Sequence, residues 1–426
     1  MINDGSIKKD EERLYAANTF DTFWQVLIEP QITREEWHDA AQKASILLPQ
    51  ANTSDPIAPE TVIERVLGEA TDGPKQWQLS KAKRLYYQVK PFIPRSLRVL
   101  GRQRYRQSQE ANFLLNWPVE DRYVRFQFQC LKYVLQQRGL DSIPYVNFWP
   151  EGYRYAFVLT HDIEEEQGAT FVEAVADLEE RYGFRSVFNF VPERYPIDAG
   201  LLQSLKQRGF EVGVHGLKHD GKLFSSRSLF ERRAAKINQY LREWGAVGFR
   251  APYTHRNPTW MQALDIEYDL SFFDTDPHEP IAGGTMSIWP FQLGAFMELP
   301  YTLTQDNTLA NILGAKDPHL WTDKVDFIAQ WHGMVLVNTH PDYLRAKHCW
   351  SLYEDFLKNM QEREGYWHAL PRVVAHWWQQ RMQLQVRGQD GQWDLSALPG
   401  AVSALFRYDH SEEDKGGTPL VSTSKG

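Results

Sequence analysis

The pattern of apolar and polar positions changes character near residue 150. Before it, apolar residues recur at helical spacing. Residues 126–135 read as a helix, and Ile32-Thr-Arg-Glu-Glu-Trp reads as a helix start, with Thr33 as cap and Glu36 three positions on. Residues 51–60, rich in Pro, Ser, Thr and Asn, read as a loop, and Pro144-Tyr-Val-Asn-Phe-Trp-Pro150 as a linker. From Tyr155 onward short β-rich runs alternate with helices. Strands are predicted at 155–160, 186–191, 211–215, 247–251, 296–303 and 334–339. Helices are predicted at 169–182, 201–208 and 229–244, closed by Gly183, Gly209 and Gly245. Such alternation implies a parallel sheet, open or closed into a barrel.

After residue 345 the pattern predicts a helix at 353–363, a short extended return at Trp367-His-Ala-Leu-Pro and a helix at 372–382. Residues 383–408 read as a small β appendage around the turn pair Asp390-Gly391, and 411–426 as a disordered tail. The expected organisation is therefore a mainly helical region over 1–150, an α/β domain over 151–345, C-terminal helices with the appendage over 346–410, and the tail.

Composition narrows the function classes. The 426 residues carry 42% hydrophobic and 24% charged side chains, the values of a water-soluble globular chain. A net charge of −8 gives no overall reason to expect nucleic acid. Two cysteines, Cys130 and Cys349, exclude a Cys-based zinc site and make a disulfide framework a poor expectation. No apolar signal core and no apolar run of about 20 residues occurs, which sets a cytoplasmic expectation. Fifteen Trp point either to packed cores or to sugar stacking. One stretch departs from the acidic balance: ten Lys or Arg fall between Lys75 and Arg106, interleaved with Leu79, Leu85, Val89, Phe92 and Leu97. A basic amphipathic segment of this kind suits an anionic membrane surface or an anionic or lipid-linked substrate, but a solvated helix face broken by Pro91 and Pro94 is the favoured reading, and no recognisable module accompanies nucleic-acid binding.

The candidate chemistry sits where predicted strands end. Tyr155-Ala-Phe-Val-Leu-Thr-His-Asp162-Ile-Glu164 is a strand ending in two acids, and residues two apart share a face if the strand continues. The third strand ends in His215-Gly-Leu-Lys-His219, whose spacing brings both rings to one face of a helical turn. The others end in Arg250-Ala-Pro-Tyr253 and Asn338-Thr-His340. One carboxylate and two imidazoles form a zinc-type donor set with a coordination position left open. A second carboxylate supplies a general base and a further His a general acid, the parts needed for metal-assisted hydrolysis of an amide or ester.

The order of these motifs resembles the polysaccharide deacetylase (NodB-homology) family, carbohydrate esterase family four, over roughly residues 151–345. Thr160-His-Asp162-Ile-Glu164 stands where the family has Thr-Phe-Asp-Asp, and Leu336-Val-Asn-Thr-His340 resembles its last motif. Ser186-Val-Phe-Asn-Phe is similar to its second strand. The resemblance implies a distorted (β/α) barrel with fewer strands than the eightfold type, a divalent metal, usually Zn2+, and removal of N-acetyl groups from amino sugars. Carried onto this chain, Asp162 is the base, and His215 and His219 are metal ligands. Arg250 orients Asp162, the Tyr253 backbone N–H binds the oxyanion, and His340 protonates the leaving amine. Asp274 and Asp276 are candidate partners for His340. Ile163 stands where the common motif has its second Asp, so the metal carboxylate falls to Glu164. Peptidoglycan deacetylase-like and allantoinase-like relatives share this spacing and act on different C–N bonds. The alternative is that Asp162 itself ligates the metal.

Three readings follow: a deacetylase acting on a polysaccharide or its lipid-linked precursor, a hydrolase of another non-peptide C–N bond, and an inactive carbohydrate-binding or scaffold relative.

Overall fold

A computed structural model describes residues 14–49, 59–69, 101, 104, 106–389, 392–407 and 420–423. Most of the basic stretch 75–106, the Asp390-Gly391 turn and most of the expected tail lie outside these.

Its central strand, β2 (Tyr155–Ile163), is buried at every position. A strand without alternation has both faces covered, as parallel sheets require. On one edge β2 pairs in parallel with β9 (Met334–Thr339), and on the other with β3 (Ser186–Phe190) and, at its start, β10 (Tyr366–His368). From β3 the parallel order runs through β4 (Glu211–Val214), β5 (Gly248–Phe249), β6 (Tyr268–Asp269) and β8 (Phe296–Glu298). The antiparallel β7 (Phe291–Leu293) completes a nine-stranded sheet. Helices Val172–Arg181, Ala199–Gln207 and Arg227–Trp244 connect the early strands.

The sheet curls until its ends meet. Beyond β8 the backbone N–H groups of Thr302 and Leu303 both donate to the carbonyl of Leu336 in β9, at 3.0 and 3.1 Å. The Thr302 hydroxyl bridges β9 as well, donating to Met334 O and accepting from Leu336 N. The result is the distorted (β/α) barrel expected from the sequence. Its strands are shorter than predicted at 247–251 and 296–303. One reason is local: the Ala251 N–H turns to the Ser271 hydroxyl at 2.8 Å rather than to a neighbouring strand. The two-residue β6 escapes sequence reading because it is too short to show a period.

The helices before residue 150 share the barrel's core. Thr33 and Glu36 form the expected reciprocal cap at Arg34–Ala44. The expected linker 144–150 is instead partly a strand: β1 (Ser142–Val146) pairs antiparallel with β13 (Ser403–Arg407). Leu420–Thr423, inside the expected disordered tail, adds β14 to the same sheet. An open edge of β13, with its unpaired backbone groups, is what makes that pairing favourable. Arg387–Gln389 and Gln392–Asp394, β11 and β12, pair antiparallel with each other. Arg381, fully buried, donates to the carbonyls of Phe23, Val146 and Asn147, tying the N-terminal and C-terminal segments together. The Trp question resolves toward packing at Trp24, Trp149, Trp289, Trp321 and Trp378, which are fully buried.

Candidate metal centre and hydrolytic site

Parallel strands of a barrel deliver their C-terminal residues to one end, and the sequence-predicted residues meet there. Asp162 lies in the last turn of pleat of β2, directly beside Asn189 of β3 in the strand register. Asp162 is 2% exposed, and three side chains donate to its carboxylate. Asn189 Nδ2 and Arg250 Nη1 reach Oδ1 at 3.1 and 3.2 Å, and Asn338 Nδ2 reaches Oδ2 at 2.9 Å. Room for Asn189 comes from Gly213, the residue in register with it on β4. A Cβ at Gly213 would sit 2.0 Å from Asn189 Oδ1. Burial by itself raises the Asp162 pKa, but the Arg250 charge and the His215 and His340 rings outweigh it and hold the group down at about 2. Asp162 is therefore an anchored, ionised carboxylate.

Arg250 is held from the far side. Its Nε donates to Leu270 O at 2.7 Å, and its Nη1 also serves Thr160 Oγ1 at 2.9 Å and Asn338 Oδ1. A planar guanidinium fixed at several points can orient a carboxylate without moving itself.

Glu164, one residue past the end of β2, joins the two imidazoles rather than this network. Glu164, His215 and His219 each present a ligand atom, all within 4.8 Å of one another. The rings converge by a route different from the one expected. Residues 215–219 form a loop, not a helical turn, with Gly216 at φ +65° and His219 at φ +48°. The turn is tight because a Cβ at Gly216 would meet Pro252 Cγ at 2.4 Å. The His215 Nδ1 sits 3.1 Å from Arg250 O, which assigns the proton to Nδ1 and leaves the Nε2 lone pair facing the site. That Nε2 is buried without a hydrogen-bond partner, as are both ring nitrogens of His219. His219 Nε2 approaches Glu164 Oε1 to 3.0 Å, an ion-pair distance without hydrogen-bond geometry. Burial pushes the His215 pKa down to about 4, so its ring is neutral at pH 7. Burial opposes ionisation of Glu164, but His219, His340 and His215 hold its pKa well below the usual carboxylate range. Orphaned imidazole nitrogens beside an ionised carboxylate match what a divalent ion of zinc type takes, so the residues fit such an ion.

His340 follows β9 and faces Asp162 across the site, its Nε2 4.0 Å from Oδ2. Its partner is Asp306, not the expected Asp274 or Asp276. Asp306 Oδ1 lies 2.7 Å from His340 Nδ1, and its Oδ2 accepts the His340 backbone N–H at 2.8 Å. Asp274 is instead paired with Lys324 at 2.7 Å, and Asp276 accepts the His278 N–H at 2.7 Å. Asp306 comes into place because the segment before it is bonded to β9. Burial lowers the His340 pKa, but Asp306, Glu164 and Asp162 reverse this and raise it to about 10.

Tyr253 lies in the one-turn segment Pro252–Thr254, where Tyr253 and Thr254 take φ of +59° and +52°. Its ring centroid is 4.4 Å from that of His219. His161, beside Asp162 in sequence, points away: its nitrogens meet Thr339 Oγ1 at 2.7 Å and Glu179 Oε1 at 2.6 Å. It is a satisfied core histidine. The residues that sequence reasoning missed are Asp306, Asn189 and Asn338. The two asparagines had a signal, a polar side chain in an otherwise apolar buried strand, which requires a partner inside.

The fold and the site together define a distorted (β/α) barrel with a carboxylate–imidazole centre at the C-terminal ends of its strands. No family model and no curated protein matches the sequence. Solved structures do. A protein assigned as a polysaccharide deacetylase from Pseudomonas aeruginosa PAO1 matches at 15% identity and a TM-score of 0.44, over 56% of this chain and 95% of its own. Puue allantoinase matches at 14% and 0.43, over 54% of this chain and 91% of its own. A protein assigned as a polysaccharide deacetylase from Mycobacterium smegmatis matches at 15% and 0.42, over 57% and 95%.

Proposed function

We propose that this chain is a metal-dependent amide hydrolase that removes N-acetyl groups from amino sugars of a polysaccharide or its lipid-linked precursor, in the cytoplasm. The observation that carries the reading is the Asp162 carboxylate facing the His340 imidazole at 4.0 Å, with Arg250 and Asp306 favouring the charged form of each, beside an imidazole–carboxylate donor set. Amide hydrolysis needs a group that takes a proton from water and another that protonates the leaving amine. Asp162 has the first role and His340 the second. Arg250, Asn189 and Asn338 occupy both Asp162 oxygens, which favours the base role over metal ligation. Glu164, His215 and His219 would hold the ion, with zinc the natural choice for this donor set. When bound, such an ion acidifies water and polarises a carbonyl oxygen, which is what a base as weak as Asp162 requires. The Tyr253 backbone N–H is assigned to the developing oxyanion. The amino-sugar substrate rests on the order of the motifs.

Metal analysis of the purified protein together with acetate release from N-acetylated oligosaccharides tests the proposal. Loss of metal in His215→Ala with full activity in Asp162→Asn would overturn the roles assigned.

A second reading, hydrolysis of another C–N bond in a small molecule, is favoured by one observation: the two acids are spaced by Ile163 and the donor set uses a Glu. Turnover of cyclic amides or ureides, with none of acetylated sugars, would establish it. Peripheral contact with an anionic membrane through 75–106 belongs to the first reading, and that segment lies largely outside the described residues. No helix among the described residues is long and apolar enough to cross a membrane.

A further inference from the structure

Glu164 poses a positioning problem that the strand does not solve. It follows Ile163, the last residue of β2, so no strand ladder fixes its backbone. Its side chain is one methylene longer than that of Asp and has more rotamers to lose on being held. Something outside the sheet must hold it.

The segment after β9 does. Asp342 Oδ2 accepts the backbone N–H of Glu164 at 2.9 Å, and its Oδ1 accepts that of Gly168 at 3.1 Å. One carboxylate thus spans both ends of the turn that carries the ligand, in the manner of a side chain capping a helix start. The neighbouring Tyr343 hydroxyl reaches Glu164 Oε2 at 3.4 Å. From the other side the Tyr195 hydroxyl donates to Ile163 O at 2.6 Å. The fit at Gly168 is close: a Cβ there would lie 2.3 Å from Asp342 Oδ2 and 2.6 Å from Oδ1. The chain has a glycine at the position where Asp342 must approach the backbone.

We propose that Asp342, seated against Gly168, is a positioning residue that sets the Glu164 carboxylate as the third metal ligand. It touches neither the ion nor the substrate and acts through the Glu164 backbone. The same short segment carries His340, so one element places both the proton donor and the metal carboxylate. The inference rests on the metal reading of Glu164, His215 and His219.

The experiment measures Zn2+ affinity by competition with a chromogenic chelator, and the visible absorption of the Co2+-substituted protein, for the full chain. Asp342→Ala removes both acceptors, and the isosteric Asp342→Asn keeps one. The expected order of affinity is wild type, then Asp342→Asn, then Asp342→Ala, with a total loss of about 10- to 100-fold. The Co2+ spectrum should change in both variants. Thermal unfolding separates this from a general loss of fold, and Asp342→Asn carries the test if Asp342→Ala does not fold. Wild-type protein that binds no metal would overturn the reading of the centre itself. Wild-type protein that binds metal, with affinity and spectrum unchanged in a folded Asp342 variant, would overturn the positioning role alone.

Discussion

His340 Nε2 lies 4.0 Å from Asp162 Oδ2, and the two groups carry opposite charges at neutral pH. Each owes its state to a different partner: Asp162 to Arg250, and His340 to Asp306. Base and acid are therefore pushed apart in pKa by these partners and by each other, the arrangement proton-transfer catalysis uses.

Asp162→Asn should abolish hydrolysis by about two to four orders of magnitude, the scale of a lost general base. It should also cost stability. Asn338 Nδ2 donates to Oδ2 while Asn338 Oδ1 accepts from Arg250, so the amide cannot flip freely to meet a new donor at 162. A buried mismatch of this kind costs about 1–3 kcal/mol. Rate and chemical denaturation measured together check both; an active, fully stable variant would contradict the assignment.

Asp306→Asn should bring the His340 pKa down from about 10. The alkaline limb of the rate profile should then shift to lower pH by about 1–3 units, the effect of losing one adjacent charge. The sign for stability follows from the raised pKa. The His340 contribution is complete below its ordinary value of 6.5, declines above it, and is lost as pH rises through about 10. Asp162, with a lowered pKa, behaves oppositely, its contribution being lost as pH falls from 3.8 through about 2. Titrating the His340 ring by NMR in wild type and Asp306→Asn reads the first effect directly.

Metal should stabilise the fold as well as activate it. Zinc at one hundred times its Kd adds about 2.7 kcal/mol if only the folded state binds. The gain should disappear in His215→Ala, because a carboxylate and one imidazole bind far more weakly. Calorimetric unfolding with and without chelator checks this.

Residues 59–69 should be inseparable from the barrel. Glu69 and Arg256 form an ion pair with both side chains fully buried, and Arg256 also lies over the Phe273 ring at 4.6 Å. Glu69→Ala should therefore destabilise the whole protein by about 3–5 kcal/mol, since it removes the carboxylate from a buried ion pair. A truncation that starts after residue 69 should fail to fold for the same reason, which limited expression of 70–426 and urea unfolding of the point variant would show.

Much of the architecture was legible in the chain itself. β2 and β9 announce themselves as long apolar runs, and the helices before β3, β4 and β5 end near their glycines, because period and capping are local properties. Asp162, Glu164, Arg250 and His340 were legible as well, since a polar burst after a buried strand marks the reactive end of a parallel sheet. The spacing of His215 and His219 predicts that their rings converge through a helical turn, whereas positive φ at Gly216 and His219 makes the segment a loop. Only tertiary structure decided the rest. Asp306 reaches His340 from 34 residues away because Thr302 and Leu303 close the barrel onto β9, a contact that leaves no periodic trace. Asp342 reaches Glu164 across 178 residues for a similar reason: neighbouring strand ends meet in space, not in sequence. β1 and β14 became strands because β13 offered them an edge. Local spacing determines which side chains stand at strand ends, whereas closure of the sheet determines which partners set their charge and aim.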